Sequence, residues 1–322
     1  MCSSRDRHPC RALLVVALVA HLLLAPWELA QAGGLFGSFG IKQEKELGKK
    51  FEVLIKSRMP IIEDPEIKGY VTGIVDRLLE VMPPQPLAGK TYVLKHDSLN
   101  AFAVPGGSVF VHSGLIQSFP SEDALAGVLA HELAHVSQRH IARRIEKMQV
   151  MNLVSLAGLL GAALAGGSTG TGLAMGAAAL TQSTMLKYSR ENETEADNVG
   201  LSYLMDAGYN PRGLSDGLGV IRRLKWRGGS AMPEYLSTHP DVAGRIDRLN
   251  QRLESMSPEA LQDKGDQTRF HRVQTLLRGW YSTPNETLQY YESLKSETCL
   301  DILGRAIALQ RLDRLGEAKE AY

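Results

Sequence analysis

Cysteine is nearly missing from this chain. Of its three cysteines, Cys2 and Cys10 lie in the first ten residues, and Cys299 stands alone beyond them. Once the leader that carries Cys2 and Cys10 is cut, the lone Cys299 closes no intramolecular disulfide, so a disulfide scaffold is excluded. An excess charge of one sign is also missing. The 36 basic and 35 acidic side chains leave a net charge of +1. The chain as a whole therefore offers no field for nucleic acid or an anionic membrane. Aromatic residues make up only 6%. Alanine and glycine are abundant instead, which predicts helices packed through small residues. Long hydrophobic runs are lacking too. Neither 12–24 nor either arm of 148–186 reaches the roughly 20 apolar residues of a membrane-spanning helix.

What is present begins with an export signal. Arg5, Arg7 and Arg11 form a positive segment, Ala12–Leu24 is apolar, and Ala30-Gln31-Ala32 is a small-residue cleavage site. Cutting after Ala32 removes three basic and two acidic side chains and brings the net charge from +1 to zero. Cys2 and Cys10 are misplaced for a lipoprotein cysteine. Export without disulfides fits a bacterial periplasm better than a eukaryotic secretory route.

The central feature is His131-Glu132-Leu133-Ala134-His135, an HExxH motif. In a helix, positions i and i+4 share a face, so both imidazoles can hold one zinc ion. Glu132 between them is placed to take a proton from water. Ser121 is a good N-cap, Glu122 and Asp123 suit the first turn, and Leu125, Val128, Leu129 and Val136 repeat at helical spacing. Arg139, Arg143, Arg144 and Lys147 suit a positive far end, so one helix is expected from Ser121 to Lys147.

A catalytic zinc site needs a third protein ligand. The metzincin spacing fails, because Gln138 and Ile141 stand where glycine and histidine would be required. His140 falls on another face of a continuous helix and reads as a surface residue. The better source is Ser189-Arg190-Glu191-Asn192-Glu193-Thr194-Glu195-Ala196-Asp197. Glu193 and Asp197 are i and i+4. Such a helix can give one ligating carboxylate and one that orients a ligating imidazole through its other nitrogen. Glu191 and Glu195 read as solvated. His239 is a further group able to stabilise an oxyanion.

Helices are expected over 41–59, 65–82, 188–207, 211–226 and 240–253, with short strands at 91–94 and 108–112. Residues 100–112 read as a sheet edge able to pair with a substrate backbone. Residues 148–186 read as an apolar helical hairpin split by Gly166–Gly172, suited to peripheral contact with a membrane or a hydrophobic client. Residues 256–267 read as a linker. Residues 268–322 form a helical tail with about one unit of tetratricopeptide-like pattern. The fold class is α+β and predominantly helical: a zincin-like metalloprotease core (33–255) with a small sheet, then the tail.

HExxH followed by Ser-Arg-x-x-Glu-x-x-Ala-Asp resembles the gluzincin family of HtpX-type and CAAX-prenyl-type zinc endopeptidases. Asn100-Ala101-Phe102-Ala103, Pro105-Gly106-Gly107, Gly114-Leu115 and Thr238-His239-Pro240 with Arg245 extend the resemblance over roughly 41–255. The signal and tail are similar to its BepA-like periplasmic branch, although that branch carries several repeats. The resemblance implies one zinc ion held by His131, His135 and Glu193, with Glu132 as general base and Asp197 supporting a ligand. It implies that His239 approaches the metal as a fourth ligand and silences it until it moves. It also implies that Arg245 and His239 line the site and steady the tetrahedral intermediate. Partners are then unfolded or misassembled proteins and outer-membrane assembly machinery.

Overall fold

The computed structural model describes residues 40–87, 89–147, 188–227, 234–262, 264–295 and 297–321. The expected signal (1–32) and apolar hairpin (148–186) lie outside the described residues.

Helix α1 spans Ile41–Arg58 and α2 spans Pro65–Val81. Asp64 caps α2 by accepting from the backbone N–H groups of Glu66 and Ile67, and Pro65 presets the first turn. Its buried face is Ile67, Tyr70, Val71, Ile74, Val75 and Leu78, the spacing of an amphipathic helix on a core. Strands β1 (Thr91–Leu94), β2 (Ala101–Ala103) and β3 (Val109–His112) make one sheet in the order β1-β3-β2. β1 runs parallel to β3, and β2 runs antiparallel to it, with Phe102 opposite Phe110. The sheet edge expected over 100–112 therefore narrows. β3 is central and paired on both sides, so only Ala101–Ala103 keeps an edge.

Helix α3 (Ser113–Ser118) leads into α4 (Glu122–Ser137), the helix that carries HExxH. Ser121 caps α4 through the Ala124 N–H at 3.1 Å. Every residue from Glu122 to Val136 is buried, so α4 is the central rod of the molecule rather than a surface helix. Its two buried N-terminal acids are satisfied. The Tyr70 hydroxyl donates to Glu122 at 2.6 Å. Asp123 accepts from the backbone of Asn210 (2.7 Å), Lys264 (3.2 Å) and Gly265 (3.1 Å).

The helix expected from Ser121 to Lys147 is interrupted. α4 stops at Ser137, Arg139 takes a left-handed backbone (φ 51°), and helix resumes at 140–147. The Arg139 guanidinium donates to the buried Glu44 of α1 at 3.0 and 3.2 Å, which holds the break.

Helices α5 (Arg190–Asp206), α6 (Arg212–Arg227), α7 (Glu234–Thr238) and α8 (Val242–Leu253) follow. α5 and α6 pack along α4. Glycines set the closeness of both seams. A Cβ on Gly127 would sit 2.4 Å from the Leu214 nitrogen, and one on Gly200 would sit 3.0 Å from the His131 Cα. Helices α9 (Gln267–Tyr281), α10 (Pro284–Glu292), α11 (Cys299–Arg311) and α12 (Leu315–Ala321) complete the chain. α11 packs on α9, α10 and α12. Phe270, Val273, Leu276 and Leu277 of α9 enter the same core as α2 and α4.

Overpacking a tight helix seam costs about 1–3 kcal/mol. Gly127→Ala is therefore expected to lower the melting temperature by several degrees in a thermal denaturation scan. An equal substitution at Gly69, which has nothing within 4 Å, should not.

Candidate metal centre

The two rods α4 and α5 meet at the HExxH turn. His131 and His135, one turn apart on α4, bring their Nε2 atoms to 3.0 Å from each other. Glu193 reaches in from α5, with its oxygens 3.6 Å from His131 Nε2 and 3.5 Å from His135 Nε2. His239, just beyond α7, places Nδ1 at 3.4 Å from His131 Nε2 and 3.1 Å from Glu193. One ligand atom from each of these four buried residues lies within 4.8 Å of the others.

The donor set suits a cation. Asp197 Oδ1 lies 3.0 Å from His131 Nδ1 and holds the proton there, so the His131 Nε2 lone pair faces inward. Burial, with the nearby Arg245 charge, lowers the His131 pKa to about 4, and burial lowers that of His135 well below its ordinary value. Both rings are neutral, as metal ligands must be. Three buried carboxylates (Glu132, Glu193 and Asp197) face one buried guanidinium, Arg245. With all three ionised and His239 neutral, two negative charges are left uncompensated, which a divalent ion balances. The group fits a single zinc ion.

Glu132 lies at the centre. Its Oε1 has no hydrogen-bond partner and stands 3.5 Å from His239 Nε2. Burial pushes its carboxyl up to about 7, opposed by His239, Arg245 and a backbone hydrogen bond from Ala103. The edge strand supplies that bond for a geometrical reason. Asn100 and Val104 bond to β3, through the His112 N–H and the Ser108 carbonyl. The alternate residues Ala101 and Ala103 then direct their backbone groups away from β3, toward the metal helix. Burial pulls the His239 pKa down, but Glu193 and Glu132 outweigh it and hold the ring above its ordinary value.

Arg245 is wholly buried and grips Asp197 with two hydrogen bonds, Nε to Oδ2 at 2.8 Å and Nη2 to Oδ1 at 2.7 Å. Its Nη1 makes a 2.6 Å charge contact with Glu193 Oε2, at an angle short of a hydrogen bond. The guanidinium thus holds two carboxylates of α5, and its Nη2 also lies 3.2 Å from His131 Nδ1 and 3.3 Å from His131 Nε2. Burial raises the Asp197 pKa, but Arg245 and His131 together bring it far below the usual carboxylate range.

Two residues depart from the sequence reading. His140, expected on the surface, is wholly buried and places Nδ1 2.7 Å from His135 Nδ1. Glu195, expected to be solvated, receives His140 Nε2 at 3.0 Å. The break at Arg139 is the cause, because it turns His140 back onto His135. Two tyrosines also escaped that reading. Tyr188 stacks on His135 at 4.0 Å between centroids, and Tyr235 stacks on His239 at 4.3 Å.

Glu132 generates a prediction. The folded chain holds its proton between about pH 4.5 and 7, where the unfolded chain has released it. Metal-free stability therefore falls across that window as pH rises, by roughly 3 kcal/mol. Glu132→Gln removes the penalty. In calorimetry with a chelator present, the variant is expected to melt above wild type at pH 8, and the gap should close at pH 4.5.

Comparison with known proteins agrees with this geometry. Residues 65–253 match peptidase family M48. The chain is 29% identical over 291 residues to the beta-barrel assembly-enhancing protease of Escherichia coli (strain K12), which covers 88% of this chain and 57% of the relative. The protein of the same name from Yersinia pestis is 29% identical over 291 residues, covering 88% and 59%. The mitochondrial metalloendopeptidase OMA1 of Schizosaccharomyces pombe is 29% identical over 211 residues, covering 66% and 59%. The chain thus spans little more than half the length of these relatives.

Proposed function

The chain belongs to peptidase family M48, and we propose from this that it is an exported zinc endopeptidase that cuts misfolded or stalled envelope proteins. The observation that carries the reading is the buried group of His131, His135, Glu193 and His239, with Glu132 Oε1 left unpaired beside it. The relatives named for β-barrel assembly support a periplasmic setting and protein substrates. The signal reading of 1–32 supports export. Among the described residues no helix is long and apolar enough to cross a membrane. The division into a leader (1–32), a peptidase domain (33–255), a linker (256–267) and a tail (268–322) belongs to this reading. So do contact of 148–186 with a membrane surface and contact of the tail with outer-membrane assembly machinery.

His131, His135 and Glu193 would hold the zinc, with His239 placed to be a fourth donor. When bound, zinc supplies a Lewis acid that lowers the pKa of water and polarises a scissile carbonyl. Glu132 takes a proton from the attacking water and returns it to the departing amine, once a divalent ion beside it leaves its carboxyl free to ionise. Asp197 fixes the His131 tautomer, and Arg245 fixes Asp197 and Glu193. An extended substrate pairs with the outer backbone edge of β2 (Ala101–Ala103), beside the base that Ala103 already contacts. Displaced toward the oxyanion, His239 is the donor that stabilises it.

A second reading follows from the position of His239. Its Nδ1 contacts Glu193 and its Nε2 stands 3.5 Å from Glu132, so it fills the space a substrate's water needs. The resting protein is then a zinc-stabilised chaperone or assembly factor whose proteolysis His239 silences.

Glu132→Gln is expected to retain one zinc per chain by elemental analysis yet lose at least 100-fold in cleavage of an unfolded protein. Undiminished cleavage ends the peptidase mechanism. His239→Ala separates the two readings. A sharp rise in proteolysis marks silencing, and a fall marks oxyanion support.

A further inference from the structure

We propose that His140 and Glu195 form a positioning arm that orients His135 for the metal, in series behind its Nδ1. The inference rests on the zinc reading above and extends it to two residues outside the HExxH pattern and the Glu193 ligand.

The protons can be placed by elimination. Glu195 Oε2 lies 3.0 Å from His140 Nε2 and can only accept when ionised, so His140 carries its proton on Nε2. The His140 Nδ1 of a neutral ring is then an acceptor. It lies 2.7 Å from His135 Nδ1, away from the metal-facing atoms, and two bare lone pairs cannot face each other at that distance with no cation between them. His135 therefore donates from Nδ1. Its remaining lone pair is on Nε2, the atom that faces His131 Nε2 and Glu193.

The two ligating imidazoles are thus served alike but over different distances. Behind His131 stands a carboxylate in direct contact, Asp197 at 3.0 Å. Behind His135 stands a carboxylate reached through a second imidazole. Both carboxylates, with Glu193, come from the same helix, α5. The arm is held at each joint. Arg139 in its left-handed conformation turns the chain, and its pair with Glu44 fixes that turn. Arg143 Nη2 lies 3.4 Å from Glu195 Oε2. Tyr188 stacks on the His135 ring and limits its rotation.

Groups that orient a ligating histidine typically account for 10–100-fold in metal affinity. The test is zinc affinity of the full chain, measured by competition with a chromogenic chelator, with no activity readout. His140→Phe is expected to weaken zinc binding about 10–100-fold. Glu195→Gln, at the partly exposed end of the arm, is expected to weaken it about 3–10-fold, less than loss of the ring itself. In His140→Asn the side-chain carbonyl sits near the position of Nδ1 and can accept from His135, so part of the loss should return. The double variant His140→Phe with Glu195→Gln should bind no more weakly than His140→Phe alone, within about twofold, because elements in series do not add.

Two results overturn the arm. One is a folded Glu195→Gln chain binding zinc within about twofold of wild type, and this decides the matter even if His140→Phe does not fold. The other is a double variant whose loss is the product of the single losses. A wild-type chain with no zinc affinity is a different failure. It removes the zinc reading itself, whereas the two results above leave that reading standing.

Discussion

The structure depends on excess negative charge sealed inside a helical core. Three carboxylates and one guanidinium are buried within a few ångströms of two neutral imidazoles. An uncompensated buried charge costs several kcal/mol, so this arrangement is stable only with a positive partner. Without the metal, protons supply part of that charge. The Glu132 carboxyl rises to about 7, and His239 is held above its ordinary value by the two glutamates. A divalent ion takes over the same electrostatic role and leaves Glu132 free to ionise. The metal is therefore part of the fold's charge balance as well as its chemistry.

That constraint explains the packing around it. A ligand carboxylate can reach imidazoles on another helix only if the two backbones lie close. Gly200 permits this, since its hydrogen faces the His131 backbone where any side chain would crowd it. α4 is buried along its whole length, so its N-terminal acids need partners as well. Tyr70 satisfies Glu122, and three backbone N–H groups from 210 and 264–265 satisfy Asp123. The second of those groups lies in the stretch whose composition resembles a linker. One carboxylate thus pins the segment after α8 to the start of the metal helix.

Much of this was legible in the sequence, for definite reasons. The i, i+4 spacing of His131 with His135 and of Glu193 with Asp197 survives in any α-helix, so both pairs could be read without coordinates. The metal helix was legible in the same way, from its Ser121 cap and the helical repeat of Leu125, Val128, Leu129 and Val136. His140 was not legible, because its place depends on a break in periodicity. In a continuous helix it points away from His135. Only the left-handed turn at Arg139, set by a contact with Glu44 some 95 positions earlier, brings it back. A non-glycine left-handed residue held by a distant ion pair leaves no local signal. The order β1-β3-β2 was hidden for a similar reason. The stretch 100–112 reads as a sheet edge, but its residues do not say which strand is left at that edge.

Under the proposed silencing, His239 is both structural and obstructive. Its Nδ1 completes the donor group with Glu193 and His131, while its Nε2 stands 3.5 Å from the base, Glu132. A water poised for attack must hydrogen-bond to that same base oxygen, which has no other partner. The imidazole and the water therefore compete for one position. Electrostatics favour the imidazole while the carboxylates around it are unbalanced, and favour it less once a divalent ion balances them. The elements that carry it suit the movement that this proposal requires. It follows a helix of only five residues, Glu234–Thr238, and is followed by Pro240 and the left-handed Asp241. Neither neighbour extends that short helix past His239, so the ring can be displaced without unwinding α4 or α5, the rods that hold the other ligands.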